Sequence, residues 1–483
     1  MSYRAGSPIR MKRSRVVSNV LILIVFVTLG LIIYPKVVAP NNEPRSSRQI
    51  PVPTEFESDI RASEHGSQHL LDATPVDDDD VCYPDIVNSW RANVKPICTP
   101  TIDKTKRSSS LRCYEYTVNG ILQPICQGEN VIVDLDKLTL PSHNITTNPV
   151  PIIGAKGAVV GVSCDVKDGF TKEWLSDAFD VTDEASCDAD FGDQVMYMHQ
   201  RWDSSNVFHI HEDLIMAHLA YQVLKLYKRN TQVVFLDDRQ PDGPALPLWN
   251  GVFSAKPALS LYDLKLAKPG IRRLCVKKLV VGVRGGATPY SNSVGANTPC
   301  SHHLFQSFSR FVLDSLNLAP LEIRKQHSSD QIRVLLVSRR DYAGKSIRRK
   351  ISNERDFVAK LRTELDPNTT IDMVDFSQLD IIKQIQTFGS YDVTIAAHGA
   401  TQVYMTYARL GTAHIEVQHP ERWGNFHYMN LAKLLGLWYR NSQLYGDGNM
   451  SENEMENVGR LVKEACEAVK EGREQNEKAS TYI

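Results

Sequence analysis

Regular alternation between strand-like and helix-like segments is the feature that most constrains how this chain can fold. Beyond Pro320, short apolar runs take turns with longer segments of helical spacing. The strand-like runs are Ile332–Val337, Ile371–Val374, Val393–Ala397 and Ile415–Val417, and the helical segments are Glu354–Leu365, Leu379–Phe388 and Asn425–Leu435. Because strands that alternate with helices pair in parallel with right-handed crossovers, the predicted fold class is α/β.

The same signals recur upstream, although less regularly. Strand-like runs lie at Ala158–Val162, Gln232–Leu236 and Leu279–Val283, and helical spacing at Leu214–Leu226 and Leu304–Leu316. We therefore predict two α/β halves, the first within residues 151–320 and the second within residues 321–450.

One strand of the second half ends in a motif that indicates a binding site. The apolar run that finishes at Ala397 is followed directly by His398, Gly399 and Ala400. Open α/β sheets bind ligands at the carboxyl ends of their strands, so an imidazole and a permissive backbone should face a crevice there. The next segments predict a helix from Thr401 and then a strand that carries Glu416 near its end.

These segments, taken in order, resemble the catalytic domain of glycosyltransferase family 61. The resemblance spans about residues 201–440 and rests on the ordered series, since His-Gly-Ala alone is a weak signal. The matching pieces are Val207–Asp213, Val334–Arg340, Arg348–Glu354, Gln384, Asp392, His398–Ala400, Gly411–Thr412, Glu416 and Leu431–Ala432. The resemblance implies a GT-B-like architecture, in which two Rossmann-like halves enclose a cleft. One position departs from the family, because Thr401 stands where a second glycine is common.

The donor-binding candidates follow strand ends in the second half. Arg339 and Arg349 belong to a basic cluster that would repel itself without a bound anion, and the resemblance selects the same two arginines for a pyrophosphate. His398 and the backbone of Gly399 and Ala400 should contact the pyrophosphate or the sugar. Glu416 is placed to accept ribose hydroxyls, as acids do in nucleotide sites. Each assignment has a competing interpretation. The arginines could belong to a solvated basic loop, and His398 could be a strand-end histidine that hydrogen-bonds only within the protein. Glu416 could form an ion pair with Arg409 or Arg422.

The catalytic base should come from the Val207–Asp213 segment. On a helix, His209 and Asp213 stand four residues apart and share one face, so the carboxylate could orient the imidazole or act directly. His209, His211 and Asp213 are therefore the candidate catalytic residues. The alternative is helix capping, in which Asp213 serves only the first turn.

No metal is expected at the site, and no cofactor beyond the donor substrate. GT-A enzymes hold a metal with Asp-x-Asp, whereas GT-B enzymes mostly use cationic side chains and helix N-termini. Asp-x-Asp occurs at Asp134–Asp136 and Asp188–Asp190, but neither follows a convincing central strand. A metal-dependent GT-A transferase that uses Asp188 and Asp190 stays open as an alternative.

The N-terminus predicts a membrane anchor. Val16–Tyr34 is almost uninterruptedly apolar and long enough for a hydrocarbon layer of ~30 Å. Several arginines and lysines precede it and no acid appears before Glu43, which favours a cytosolic N-terminus. The predicted order is a cytosolic tail 1–15, a signal anchor 16–34, a disordered stem 35–80, a cysteine-bearing collar 81–150, an acceptor-side half 151–320, a nucleotide-sugar half 321–450 and a C-terminal helix 451–483.

This topology places the catalytic part in the lumen of the Golgi or endoplasmic reticulum, as a single-pass type II protein. The sequons at Asn144, Asn368 and Asn449 and the nine cysteines agree with that compartment. A cleavable signal peptide is the alternative, and it leads to the same lumen. The net charge of −1 gives no reason to expect a nucleic acid partner.

The sequence hypothesis is an inverting glycosyltransferase. It would use a UDP-sugar, with GlcNAc or xylose favoured, and a glycoprotein or polysaccharide acceptor. A non-catalytic, glycan-binding lumenal member of the same fold is the alternative from another class, motivated by Thr401.

Overall fold

The computed structural model describes most of the chain after residue 185 and separate stretches before it. The described residues are 88, 91–95, 98–99, 109–118, 121–139, 153–154, 159–160, 163–164, 179–180, 186–261, 264–265, 270–282, 285, 288, 303–318, 331–341, 347–446 and 448–481. All of them belong to one compact unit, Val76–Ile483. The predicted tail, the Val16–Tyr34 anchor and the 35–80 stem lie outside the described residues. Within the described part of the chain, no helix combines the length and apolarity that a bilayer crossing requires.

The first half is built on a mixed sheet of ten strands. Its longer strands are β1 (Ser110–Val118), β2 (Ile121–Asp134), β3 (Val195–His199), β4 (Thr231–Phe235) and β5 (Arg273–Val281). Two-residue strands complete it at Val94–Lys95, Val159–Val160, Phe179–Asp180, Ala189–Asp190 and Leu259–Ser260. Strands β5, β3 and β4 are parallel neighbours, whereas β1, β2 and β5 pair antiparallel.

Two disulfides tie this sheet together. Cys113–Cys126 joins β1 to β2, and Cys187–Cys275 joins the segment before Ala189–Asp190 to β5. Two small two-stranded sheets lie beside it, Cys98–Thr99 with Ser163–Cys164 and Leu138–Thr139 with Ile153–Gly154. Because β2 pairs with β5, the described part of the 81–150 segment is continuous with the sheet of the first half.

Helix α1 (Val207–Leu224) crosses from β3 to β4 and is buried along almost its whole length. Asn206 begins it, since its side-chain oxygen accepts the Phe208 amide at 3.1 Å, as an N-cap residue does. A short turn Leu246–Leu248 with a π-helix Trp249–Phe253, and helix α2 (His303–Ser315), complete the described helical cover of this half.

The second half is a five-stranded, fully parallel sheet. Its strands are β6 (Ile332–Ser338), β7 (Thr369–Asp375), β8 (Val393–Ala397), β9 (Ala413–Gln418) and β10 (Trp438–Gln443). The helices are α3 (Glu354–Glu364), α4 (Ile381–Phe388), a 3-10 helix at Ala400–Tyr407, α5 (His427–Leu435) and α6 (Glu452–Thr481). The strand order β7-β6-β8-β9-β10 reverses direction between β6 and β8, and ligands bind at such switch points.

One hydrophobic core is shared by the two halves. It contains Phe208 and Leu214 of α1 together with Tyr404 of the 3-10 helix and Leu431 of α5. A separate core lies between the second sheet and α6 and includes the buried free thiol of Cys466. Within this shared core, the start of α1 packs against the helices that follow β8 and β9.

The predicted α/β class with parallel sheets is confirmed, and the differences are local. The segment after Gly399 is a 3-10 helix and not an α-helix, and every residue from Gln402 to Tyr407 is buried. Packing on all sides, and not an amphipathic pattern, therefore sets its geometry. The edge strand β10 carries no apolar run and so gave no strand signal. Helix α6 packs on the second sheet, where Arg473 donates to Asp392 at 2.5 Å.

Candidate active site

The switch point between β6 and β8 brings Arg339 and His398 together. Arg339 follows the last residue of β6 and His398 follows the last residue of β8, and the two strands are parallel neighbours with Val337 opposite Ala396. The Arg339 guanidinium Nη1 donates to the His398 carbonyl oxygen at 2.5 Å. The sheet thus holds a guanidinium across the backbone of the His-Gly-Ala motif.

Gly399 is required here for space. Its backbone is extended, with φ 174°, a conformation that any residue adopts. A β-carbon at this position, however, would lie 2.1 Å from Nη1 and 2.5 Å from Cζ of Arg339. The absence of a side chain at Gly399 is therefore what lets Arg339 lie where it does.

Neighbouring arginines and lysines differ in whether an acid neutralises them. Arg340 donates to the buried carboxylate of Glu354 at 2.7 Å, and Lys350 donates to Asp341 at 3.1 Å. Arg349 has no ion pair within the described residues. Burial and the positive charge of Arg422 both disfavour its charged form and lower its pKa. A half-buried cation without a counter-ion is a ready anion site.

His398 is held by a buried carboxylate. Its Nδ1 donates to Oε1 of Glu416, while the Tyr439 hydroxyl donates to Oε2. Glu416 is fully buried and Gln402 also approaches Oε1, at 3.5 Å. Both carboxylate oxygens are thus used by the protein, and neither Arg409 nor Arg422 is the partner. This arrangement favours an orienting role for Glu416 over the ribose contact, which stays a prediction.

The buried residue His414 forms a hydrogen bond with the side chain of Gln402. His414 Nε2 donates to the side-chain Oε1 of Gln402 at 2.8 Å, and its Nδ1 accepts from the Thr394 hydroxyl at 2.7 Å. Burial lowers the pKa of His414 to about 3, so the ring is neutral at physiological pH. His414 is therefore a structural histidine, two residues before Glu416 on the same strand.

The start of α1 presents His209 and Glu212 to this region. His209 Nδ1 donates to Glu212 Oε2 at 2.6 Å, and the His209 side chain is 34% exposed while Glu212 is 2% exposed. Burial alone would lower the pKa of His209, but the hydrogen bond and charge of Glu212, with Asp203 and Asp213, outweigh it and raise the pKa. The result is a partly exposed imidazole oriented by a buried acid, which is the geometry of a general base.

His211 faces the shared core. Its Nδ1 donates to the Val207 carbonyl at 2.7 Å, and Nε2 is buried without a hydrogen bond in the described structure. The Tyr404 and Tyr407 rings pack edge-on against it at 5.4 and 5.5 Å. Burial lowers its pKa to about 4, so His211 is a neutral packing residue in this arrangement.

Asp213 is 1% exposed and anchors two loops. Its carboxylate accepts the backbone amide of Trp202 at 2.7 Å and that of Gly285 at 2.6 Å. The predicted pairing of Asp213 with His209 is wrong, because Asp213 lies against His199, at 3.3 Å, and His209 pairs with Glu212. The role of Asp213 as the base itself stays a prediction, although this geometry favours an anchoring role.

Aromatic rings connect α1 to the switch point. Phe208 lies 5.5 Å from the His427 ring and 5.8 Å from the Tyr428 ring, and Tyr428 lies 5.0 Å from the His398 ring. The base candidates of the first half and the donor candidates of the second half therefore line one region.

Both Asp-x-Asp motifs lie at the opposite edge of the first sheet. Asp188 accepts the backbone amides of Arg272 and Arg273 at 2.9 and 2.8 Å, where β5 begins. Asp134 lies opposite Arg273 in the same register. These carboxylates are thus at the amino end of β5, away from the strand ends where α/β sites form. Among the described residues, no cluster of three or more His, Cys, Asp or Glu could hold a metal.

Sequence reasoning missed the supporting acids and tyrosines. Glu212 was noted only as part of the histidine segment, although its spacing of three from His209 is the signal that could have found it. Tyr439 was not considered because β10 gave no strand signal. Tyr428 is buried, as an aromatic residue at helical spacing usually is.

Comparisons with solved structures give only partial matches. The solved structures that match in part include a flavodoxin of Streptococcus pneumoniae TIGR4, at 12% identity over 28% of this chain and 97% of that one, with a TM-score of 0.20. A flavodoxin-like domain of Synechococcus sp. has 13% identity over 30% and 99%, with a TM-score of 0.20. The flavodiiron core Flv1 of Synechocystis sp. PCC6803 has 10% identity over 44% and 48%, with a TM-score of 0.23. Scores this low carry no structural conclusion.

The family comparison is more specific. No curated protein matches the chain. The family model described as Glycosyltransferase 61 matches residues 207–415, from the first residue of α1 to the middle of β9. That range contains both His209 and the Arg339–Gly399 contact. This match supports glycosyltransferase family 61 for that part of the chain and indicates glycosyltransferase activity.

Proposed function

We propose that this protein is an inverting, GT-B-type transferase that moves a sugar, with GlcNAc or xylose favoured, from a UDP-sugar to a glycoprotein or polysaccharide acceptor. The observation that carries the proposal is the switch-point site itself. Arg339 lies across the backbone of Gly399, and Arg349 has no counter-ion within the described residues. Two guanidinium groups beside an open strand end suit a diphosphate, whose oxygens accept paired N–H donors.

The GT-B arrangement is supported by how the two halves meet. In the first half, α1 follows the carboxyl end of β3. In the second half, α5 follows the carboxyl end of β9. Phe208 and Tyr428, near the starts of these helices, are in ring contact. A donor held by the second half and a base supplied by the first half would then face each other.

We assign the base to His209. The acceptor hydroxyl oxygen attacks the anomeric carbon from the face opposite the diphosphate, and its proton passes to Nε2 of His209. The bond between the anomeric carbon and the diphosphate oxygen breaks, and its electron pair leaves with UDP. Glu212 holds Nδ1 as a donor and stabilises the imidazolium that forms, while Arg339 and Arg349 stabilise the charge that leaves.

His398 and Glu416 serve the donor side. Nδ1 of His398 is held by its hydrogen bond to Glu416. The other ring nitrogen, Nε2, points away from Glu416 and makes no hydrogen bond within the described residues. We propose that this Nε2 contacts the diphosphate or the sugar. The first amides of the 3-10 helix, at Ala400 and Thr401, add donors at the same point.

The pH dependence tests the base. If neutral His209 is required, the acid limb of the kcat/KM profile should lie above the ordinary histidine value near 6.5, because the pKa of His209 is raised. Glu212→Gln removes the charge that raises the pKa, so the acid limb should move to lower pH. A pH–rate profile measures this shift, with Glu467→Gln on exposed α6 as the control for a lost carboxylate. An unmoved acid limb in Glu212→Gln would contradict the assignment.

The donor is tested directly by hydrolysis. We expect the lumenal part to hydrolyse UDP-GlcNAc or UDP-xylose faster than other UDP-sugars, and EDTA to leave the rate unchanged. A panel of UDP-sugars, assayed for released UDP with and without EDTA, decides this. Loss of hydrolysis with EDTA would favour the metal-dependent GT-A alternative with Asp188 and Asp190. UDP-sugar binding without turnover, with or without added acceptor glycans, would favour the non-catalytic alternative. The structural reason to consider it is the buried Thr401 hydroxyl, which makes no hydrogen bond to a described residue.

We propose a lumenal location in the Golgi or endoplasmic reticulum membrane, with Val16–Tyr34 as the anchor. Two structural facts support this compartment. Asn368 and Asn449, the described sequon asparagines, are both exposed, and two disulfides link described strands.

A further inference from the structure

Tyr428 is a buried tyrosine whose hydroxyl has no partner among the described residues. It is the second residue of α5, and only 5% of it is exposed. Its ring fills the space between His398 and Phe208, so the packing accounts for the ring. The hydroxyl makes no hydrogen bond within the part of the chain that the structure describes.

Several other buried tyrosines donate their hydroxyl to an acceptor in the protein. The Tyr391 hydroxyl donates to Asp372 at 2.8 Å, the Tyr221 hydroxyl donates to the Phe253 carbonyl, and the Tyr439 hydroxyl donates to Glu416. Within the described residues, the Tyr428 hydroxyl has no such acceptor. It is not among the fully buried polar atoms that lack a partner, so it stays accessible to water and to a bound ligand.

Charges around Tyr428 indicate which acceptor a ligand would supply. The charges of Arg339, Arg349, Glu212 and Glu416 all act on the Tyr428 hydroxyl. Burial and the two carboxylates raise the pKa of Tyr428, so the hydroxyl keeps its proton and remains a donor at neutral pH. The oxygens of Glu416 already accept from His398 and Tyr439, which removes that carboxylate as an acceptor.

We propose that the Tyr428 hydroxyl donates a hydrogen bond to a diphosphate oxygen of the bound nucleotide sugar, between Arg339 and Arg349. This inference rests on the proposed function and adds a binding residue to it. The contact uses a neutral donor at a point flanked by two cations, and the acceptor class is a nucleoside diphosphate. The same ring touches Phe208, one residue before His209, so the donor site and the base segment share one wall.

Tyr428→Phe tests the contact, because it removes the hydroxyl and keeps the ring. We expect UDP to bind about 10-fold more weakly or worse, as for a lost hydrogen bond to a charged group, and uridine to bind as it does to the unaltered protein. Calorimetric titrations with UDP, UMP and uridine measure this. The matched control is Tyr391→Phe, which removes a buried hydroxyl just before β8, at the opposite edge of the sheet, and should leave UDP affinity unchanged.

The outcomes separate the two proposals. Equal UDP affinity in Tyr428→Phe and the unaltered protein would overturn the Tyr428 contact and leave the proposed function standing. An equal loss for UDP and uridine would also overturn it, since the hydroxyl would then serve the nucleoside or the packing. Failure of the unaltered protein to bind UDP would instead overturn the proposed donor, and the Tyr428 contact with it.

Discussion

His209→Asn is expected to lower turnover by about 10²–10⁴-fold and to leave UDP affinity unchanged, because general-base catalysis contributes on that order. Asparagine can still donate to the buried Glu212 carboxylate, so the start of α1 should keep its structure. What the change removes is the basic nitrogen that accepts the acceptor's proton. Steady-state kinetics with a UDP-sugar and acceptor, paired with UDP titration, measure the two effects separately.

Asp213→Asn is the comparison variant, since the sequence pattern also made Asp213 a candidate. Its carboxylate accepts the amides of Trp202 and Gly285, so we expect a lower free energy of unfolding and a smaller effect on turnover in the remaining folded enzyme. If Asp213→Asn abolishes turnover at unchanged stability while His209→Asn stays active, Asp213 is the base and the assignment to His209 is wrong.

Gly399→Ala is expected to weaken UDP binding by about 10- to 100-fold without unfolding the protein. The added methyl group would overlap Nη1 of Arg339, and a flexible guanidinium end can move away at little cost to the fold. Displaced in this way, Arg339 no longer reaches the His398 carbonyl or the diphosphate. UDP titration and thermal unfolding of the same samples measure both expectations.

Gly472→Ala is the matched control. It makes the same change on α6, where a β-carbon would meet nothing within 4 Å, and it should leave UDP affinity unchanged. Arg339→Ala should lose as much UDP affinity as Gly399→Ala, about 1.5–3 kcal/mol. The double variant should lose no more than either single one, since both act through Arg339. Additive losses would show that Gly399 serves the ligand directly and not through Arg339.

Much of the second half was predictable because its signals are local. Apolar runs such as Val393–Ala397 and helical spacing such as Leu379–Phe388 act within a few residues. The strand forms as predicted, and the helix forms two residues shorter, over Ile381–Phe388. The position of His398 at a strand end followed from the same pattern. The first half was less predictable, because β1 and β2 join their sheet through long-range pairing with β5.

Which side chains reach each other was decided only by the tertiary structure. The sequence placed two arginines after β6 and could not tell that Arg340 pairs with Glu354 while Arg339 lies over Gly399. It placed His209 and Asp213 on one helical face, but the hydrogen bond of His209 goes to Glu212. Side-chain pairing depends on rotamers and on partners that are distant in the sequence. Neither produces a periodic pattern that sequence analysis can detect.

The sequence by itself determined the parallel sheet, the strand ends that carry Arg339 and His398, and the resemblance to glycosyltransferase family 61. The tertiary structure decided that Glu416 orients His398, that His211 is buried in an aromatic cluster, and that Tyr428 joins the two halves. The physical reason is the range of the forces involved. Hydrophobic periodicity specifies an element from its own residues, whereas burial and hydrogen bonding depend on segments that the fold brings together across some 200 residues of chain, from α1 to α5.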